Sequence, residues 1–204
     1  MFTSNFLPFL FTAILIELTP GPNMAWIALT GASVGKRAAL AATAGIALGL
    51  AVVGSVAAFG LAELAQTSPY LFALLRYAGA AYLIWLAWKA WEGESDVSPE
   101  HAHNGNVRWF RHGLFLNLLN PKAALFFVAI LPSYVDSTAP VMPQTLLLSA
   151  TYVAVATLVH LSLALLAGRA HDWFEQGQNA LKVRKICALL IAAVAFWFLV
   201  STAR

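Results

Sequence analysis

Residues that break helices are concentrated inside the first long apolar stretch of the chain, where residues 17–23 read Glu-Leu-Thr-Pro-Gly-Pro-Asn. Neither proline can donate a backbone hydrogen bond, and each ring clashes with the carbonyl four residues earlier, that of Ile16 or Leu18. A helix here should break, with carbonyls left free before the break and N–H groups left free where the helix restarts. Free carbonyls suit an ammonium group or a coupling ion, and the start of a helix suits a carboxylate. The candidate site residues in this stretch are Glu17, Thr19, Pro20, Gly21, Pro22 and Asn23.

A second break of the same kind is predicted in the other half of the chain, where residues 117–122 read Asn-Leu-Leu-Asn-Pro-Lys. Residues 18–20 and 119–121 match in position and in kind. In a membrane such breaks line a path or a cavity, and breaks at corresponding positions of two halves indicate a transporter's binding site. Asn117 either joins helices or lines the site, whereas Asn120 adjoins the break and is assigned to the site. The candidate residues here are Asn117, Asn120, Pro121 and Lys122.

Glu17, Lys122 and His160 fall well inside apolar segments, where a charge costs free energy unless it is paired or functional. Glu17 and Lys122 should therefore avoid lipid. Either they pair and tie the two broken helices together, or Glu17 is a protonation site. His160 either relays protons or is a buried histidine bonded to a neighbouring hydroxyl.

The composition indicates an integral membrane protein. Of the 204 residues, 60% are hydrophobic and 10% charged, with a mean hydropathy of +0.74, whereas a soluble domain carries roughly 25% charged residues. A span needs about 20 apolar residues. Six segments of that length are predicted, at 4–30, 39–62, 69–91, 112–132, 143–167 and 185–203. They form one all-α transmembrane domain, with a first half at 1–91, a polar linker at 92–111 and a second half at 112–204. No room remains for a soluble catalytic or nucleic-acid-binding domain.

The basic residues predict the orientation of these segments, because loops rich in Lys and Arg stay in the cytoplasm. Nine of the 12 lie in or beside the loops after segments one, three and five, namely Lys36, Arg37, Lys89, Arg108, Arg111, Arg169, Lys182, Arg184 and Lys185. The linker is therefore predicted to be cytoplasmic and both termini periplasmic. Three spans per half then give a 3+3 inverted repeat with broken helices 1 and 4.

Other signals are structural. Ala41, Gly45 and Gly49 recur at four-residue spacing and form a small face for helix packing, within the bundle or in a homodimer. The lone Cys187 excludes an intrachain disulfide. Four residues in and beside the linker lack a recognised ligand pattern, so no metal is predicted. They are Glu100, His101, His103 and His112.

Several motifs resemble the lysine exporter (LysE/RhtB) family. They are Thr-Pro-Gly-Pro-Asn-Met at 19–24, Gly-Lys-Arg at 35–37, Gly-Ile-Ala-Leu-Gly at 45–49, the tract at 75–83 and the tract at 113–122. Glu17 and His160 match none of them. The resemblance implies a six-span carrier in the bacterial inner membrane that exports amino acids and related small polar metabolites.

The leading hypothesis is a secondary exporter of small zwitterionic metabolites, coupled to protons through Glu17 or His160. The chain has no phosphate-binding loop that could couple ATP, and no cofactor is predicted. Its expected partners are an amino-acid substrate, protons and the lipid bilayer. One rival is an intramembrane enzyme that uses buried Glu, Lys and His groups. Another is a membrane assembly subunit, for which the paired breaks would have no purpose.

Overall fold

The structure is a computed structural model. It describes residues 2–61, 102–136 and 138–175, with individual positions between 74 and 91 and between 185 and 200. Six α-helices are described in these ranges, and no strand occurs there. They are α1 (Phe2–Leu18), α2 (Pro22–Val34), α3 (Lys36–Val56), α4 (Ala102–Leu118), α5 (Pro121–Leu125) and α6 (Val141–Glu175). A π-helical turn extends α3 to Leu61, and a π turn and a 3-10 turn extend α5 to Tyr134.

Two helices are long and apolar enough to cross a membrane by themselves, Lys36–Phe59 and Val141–Ala170. The pair Gly105–Leu118 and Pro121–Tyr134 is bent by 48° and counts as a third span when taken together. The all-helical membrane architecture is therefore confirmed for the described residues. Only scattered positions of the third and sixth predicted segments are described, so the six spans and the 3+3 repeat stay predictions.

Both predicted helix breaks occur, and both helices restart on a proline. α1 ends at Leu18 and α2 begins at Pro22, with Gly21 as an extended N-cap residue. α4 ends at Leu118 and α5 begins at Pro121. A proline at the first helical position loses nothing, because its missing N–H would have no partner there. The helices that follow the two breaks thus begin at Pro22 and Pro121, whereas the sequence comparison paired Pro20 with Pro121.

A single glycine connects α2 to α3. Gly35 has a φ of 106°, a left-handed conformation that favours glycine, and its N–H donates to the Thr30 and Gly31 carbonyls. The chain thus reverses within one residue, and α2 and α3 pack against each other and against α6.

The predicted small face of α3 packs inside the chain. A Cβ atom at Gly45 would collide with the Phe110 carbonyl oxygen of α4, and one at Gly113 would collide with the Ala42 carbonyl oxygen of α3. The two backbones are thus in contact at reciprocal glycines. This close crossing places Asn117, one turn further along α4, beside Gly49.

The predicted linker is too long, because residues 102–111 are the first turns of α4. These residues are polar on average, which hides the helix from a search for apolar segments. Trp109 nevertheless packs on Trp26 of α2 with ring centroids 5.9 Å apart, and Phe110 reaches Gly45. Trp109 and Phe110 thus hold the first turns of α4 against α2 and α3, although the average polarity of these turns does not indicate a buried helix.

A polar site between the two helix breaks

The two breaks meet around one small cavity. Six of the predicted site residues line it, namely Glu17, Gly21, Asn23, Asn120, Lys122 and His160. Four lining residues were not predicted, namely Met24, Leu50, Ala123 and Tyr152. The cavity has room for about one water molecule. An amino acid therefore needs the surrounding helices to separate before it can enter.

Glu17 lies at the centre of a buried polar cluster. Its carboxylate accepts a hydrogen bond from the Tyr152 hydroxyl at 2.5 Å through Oε1, and its Oε2 lies 3.4 Å from His160 Nε2. Exposure is 4% for Glu17 and 1% for each of the two partners. At 3.4 Å the His160 contact is longer than an ordinary hydrogen bond, and neither ring nitrogen of His160 has a hydrogen-bond partner among the described residues. The sequence left two roles open for His160, a proton relay or a buried histidine bonded to a neighbouring hydroxyl. No such hydroxyl bond is found among the described residues.

Helix α6 places Tyr152 and His160 on one face. They are eight residues apart, with the fully buried Ala156 halfway between them. The Tyr152 ring stacks on Phe126 with centroids 3.5 Å apart and 11° between the planes. Its hydroxyl is thus held in position from the π-helical turn that follows α5. The eight-residue spacing from His160 is the one sequence signal that could have identified Tyr152.

A second polar contact joins the two broken helices directly. Asn23 Nδ2 on α2 donates to Asn117 Oδ1 on α4 at 2.8 Å, and both side chains are buried. Asn117 therefore joins helices, which is one of the two roles the sequence left open, and it does not line the cavity. Asn23 also lines the cavity and is 7% exposed, and its Oδ1 atom has no hydrogen-bond partner in the part of the chain that the structure describes.

Lys122 connects the second break to the first. Its backbone N–H is capped by Asn120 Oδ1 at 3.0 Å, and its ammonium Nζ donates to the Thr19 carbonyl oxygen at 2.9 Å. The Ile16 carbonyl, predicted to be free, instead accepts from the backbone N–H and the hydroxyl of Thr19. Among the described residues, the Glu17 carboxylate contacts His160 and makes no salt bridge to Lys122, so the predicted alternative of a Glu17–Lys122 tie is not formed there.

The remaining predicted residues shape the breaks without lining the cavity. The Thr19 and Pro20 side chains are exposed, and Thr19 contributes its carbonyl oxygen instead. Pro22 and Pro121 are buried at the first positions of their helices. These four residues determine where the backbone groups point, whereas the charged and amide side chains fill the space between them.

Comparison with known proteins agrees with this arrangement of broken apolar helices. The family model described as LysE type translocator matches residues 14–202. The chain belongs to this family. The LysE membership makes it a membrane transporter, so the rival hypothesis of an intramembrane enzyme is set aside.

Named relatives of this LysE chain include two efflux proteins. It is 33% identical over 169 residues to the homoserine/homoserine lactone efflux protein of Salmonella typhimurium, covering 82% of each chain. It is 34% identical over 171 residues to the leucine efflux protein of Klebsiella pneumoniae, covering 80% of this chain and 79% of that one. An uncharacterized membrane protein of Vibrio cholerae is 28% identical over 195 residues, with 91% and 95% covered. No solved structure matches significantly.

Proposed function

We propose that this protein exports small zwitterionic amino acids or closely related metabolites across the bacterial inner membrane, and that the cavity between the two breaks binds them. The names of the efflux relatives support the substrate class. The observation that carries the assignment to this site is the buried carboxylate of Glu17, which faces a cavity lined by residues of both breaks. A buried ionisable group in a membrane protein is retained where it binds or moves a charge.

The cavity offers one partner for each charge of an amino acid. The Glu17 carboxylate and the unpartnered Asn23 Oδ1 attract an ammonium group. The start of α2 attracts a carboxylate, because Gly21 has no side chain to cap the first N–H groups of the 13-residue helix. Gly21, Asn23 and Met24 all line the cavity.

Protons are the proposed coupling ion, with Glu17 and His160 as the groups that carry them. The two side chains are in contact at 3.4 Å and buried, and the hydroxyl of Tyr152 reaches the other carboxylate oxygen. A proton on either group changes the charge next to the substrate's ammonium. Proton binding and substrate binding at this place therefore influence each other.

The proposed membrane topology has six spans in a 3+3 inverted repeat, with both termini periplasmic. The distribution of basic residues supports this orientation. Alkaline phosphatase fused to the C-terminus should be active, because that enzyme folds outside the cytoplasm. An inactive fusion at normal expression would contradict the orientation without affecting the site.

Uptake into inside-out membrane vesicles tests the proposed function. Radiolabelled leucine or homoserine should accumulate in vesicles that contain the protein, and should do so faster when the lumen is acidic. Replacing Pro20, Gly21 and Pro22 together by alanine should abolish uptake, because a continuous helix satisfies its carbonyls internally. Pro8→Ala is the matched control, since Pro8 is exposed in the same helix α1 and distant in sequence from the break. Normal uptake by the triple variant would refute the assignment to the break.

A further inference from the structure

The Lys122 side chain reaches from its own helix to the other helix break. Its ammonium group crosses from the start of α5 to the end of α1 and donates to the Thr19 carbonyl oxygen at 2.9 Å. The last carbonyls of a helix are unpaired and carry a partial negative charge, so this position attracts a cation. In broken-helix transporters, such carbonyls coordinate the coupling cation.

Two features hold Lys122 in this position. Its backbone N–H is fixed by the side chain of Asn120. Its aliphatic chain lies against Gly21, where an added Cβ atom would come within 3.3 Å of Lys122 Cδ and 3.7 Å of Nζ. A larger residue at Gly21 would therefore push the chain aside. The Gly21 backbone is extended, with a φ of −162°, so its conformation does not itself demand glycine. Its missing side chain instead gives Lys122 room.

The charges of the cavity balance without a free ion. Among the described lining residues, Glu17 supplies one negative charge and Lys122 one positive charge, and the remaining space holds about one water molecule. A sodium ion would find its oxygen ligand already bound to Lys122. The ammonium group of a substrate would meet the same competitor.

On the basis of the proposed function, we propose that Lys122 is a tethered ammonium group that closes the empty site in place of a free cation, and that the substrate's ammonium displaces it from Thr19. The substrate-free carrier then needs no bound sodium ion to change back to the conformation that loads substrate. Lys122 is a positioning residue that competes with the substrate's amine and does not hold its carboxylate.

Chemical rescue of purified full-length protein tests the tether separately from transport. Lys122→Ala removes the chain beyond Cβ, and n-propylammonium supplies the missing atoms with their charge. We expect the melting temperature of this variant to fall by about 1–6 °C, because the lost hydrogen bond has a charged donor but an exposed acceptor at Thr19. Propylammonium should recover at least half of that loss because it binds only the folded state. Neutral n-propanol and KCl at equal ionic strength should recover none of it.

Two controls define the expected pattern. Lys36→Ala removes an exposed lysine at the start of α3, and its melting temperature should not respond to propylammonium. Wild-type protein should melt at the same temperature in sodium and potassium salts. Stabilisation of the wild type by sodium, or equal recovery of Lys122→Ala by KCl and propylammonium, would overturn the proposal.

A milder variant keeps the test open if Lys122→Ala does not fold. Lys122→Gln retains a donor for the Thr19 carbonyl but loses the charge. Alaninamide, which has an ammonium group and no carboxylate, should bind this variant about tenfold more tightly than the wild type, since a charged competitor is gone. Weaker binding would identify Lys122 as a substrate ligand and overturn the tether. A wild type that transports no amino acid would contradict the proposed function, whereas the melting data would still decide the tether.

Discussion

Replacing Tyr152 by phenylalanine removes one hydroxyl from the buried cluster and keeps the ring that stacks on Phe126. The lost interaction is the 2.5 Å hydrogen bond to Glu17 Oε1, made between side chains that are 1% and 4% exposed. A hydrogen bond to a charged group contributes about 1.5–3 kcal/mol. Because Glu17 is 4% exposed and its cavity has room for about one water molecule, the carboxylate has few replacement donors, and most of this amount should be lost.

This loss is measurable as a shift in the melting temperature of purified protein. For a chain of this length, 1.5–3 kcal/mol corresponds to about 3–12 °C. Tyr134→Phe is the matched control, because Tyr134 also loses a hydroxyl bond, at 2.8 Å to the neutral Thr12. That bond is part-buried and uncharged, so its loss should be about 0.5–1.5 kcal/mol. A Tyr152→Phe shift no larger than that of Tyr134→Phe would refute the cluster around Glu17.

Three further changes test the helix crossing, the second break and a loop. Gly45→Ala should destabilise the protein by about 1–3 kcal/mol or more because two backbones are in contact there. Gly105→Ala is the control: a Cβ atom there meets open space, so the change should be neutral or stabilising by up to about 1 kcal/mol. Equal melting temperatures of the two variants would contradict the crossing. Asn120→Ala should lose an N-cap contribution of about 0.5–2 kcal/mol, measured by the same method, and Asn120→Asp should retain it. Hydrogen bonds from the Thr138 side chain and backbone lower the pKa of Asp136, so its contribution is present above the ordinary pKa and lost as the pH falls through the lowered value. Melting curves from about pH 5 to pH 2.5 should therefore show a smaller acid-side loss for Asp136→Asn.

The two helix breaks could be predicted because proline acts locally. A residue without an N–H ends the hydrogen-bond ladder wherever it lies, and the surrounding apolar residues place that event in a membrane. Sequence alone also identified Glu17, Lys122 and His160 as candidates, because an ionisable group in an apolar segment costs free energy unless it is paired or functional. The same logic could not find Tyr152, since a tyrosine in an apolar helix is ordinary.

Which of these groups contact each other could not be predicted, because the contacts join distant parts of the chain. Tyr152 and Glu17 are 135 residues apart, and Lys122 and Thr19 are 103 apart. Opposite charge favoured a Glu17–Lys122 pair, but the ammonium of Lys122 instead bonds the end of α1, and the face of α6 supplies Glu17 with partners. The length of α4 was missed for a similar reason, since its first turns are held by contacts of Trp109 and Phe110 with α2 and α3.

Glu17→Gln tests most directly whether Glu17 lies in the transport path and couples transport to protons. Glutamine keeps the shape and can still accept a bond from Tyr152, but it cannot ionise. In vesicles with an acidic lumen, gradient-driven uptake should fall to the level of vesicles without the protein. Exchange of labelled for unlabelled substrate without a gradient should continue at raised substrate concentration, because Asn23 Oδ1 and the start of α2 still attract the substrate. Gradient-driven uptake at the wild-type rate in Glu17→Gln would contradict the account.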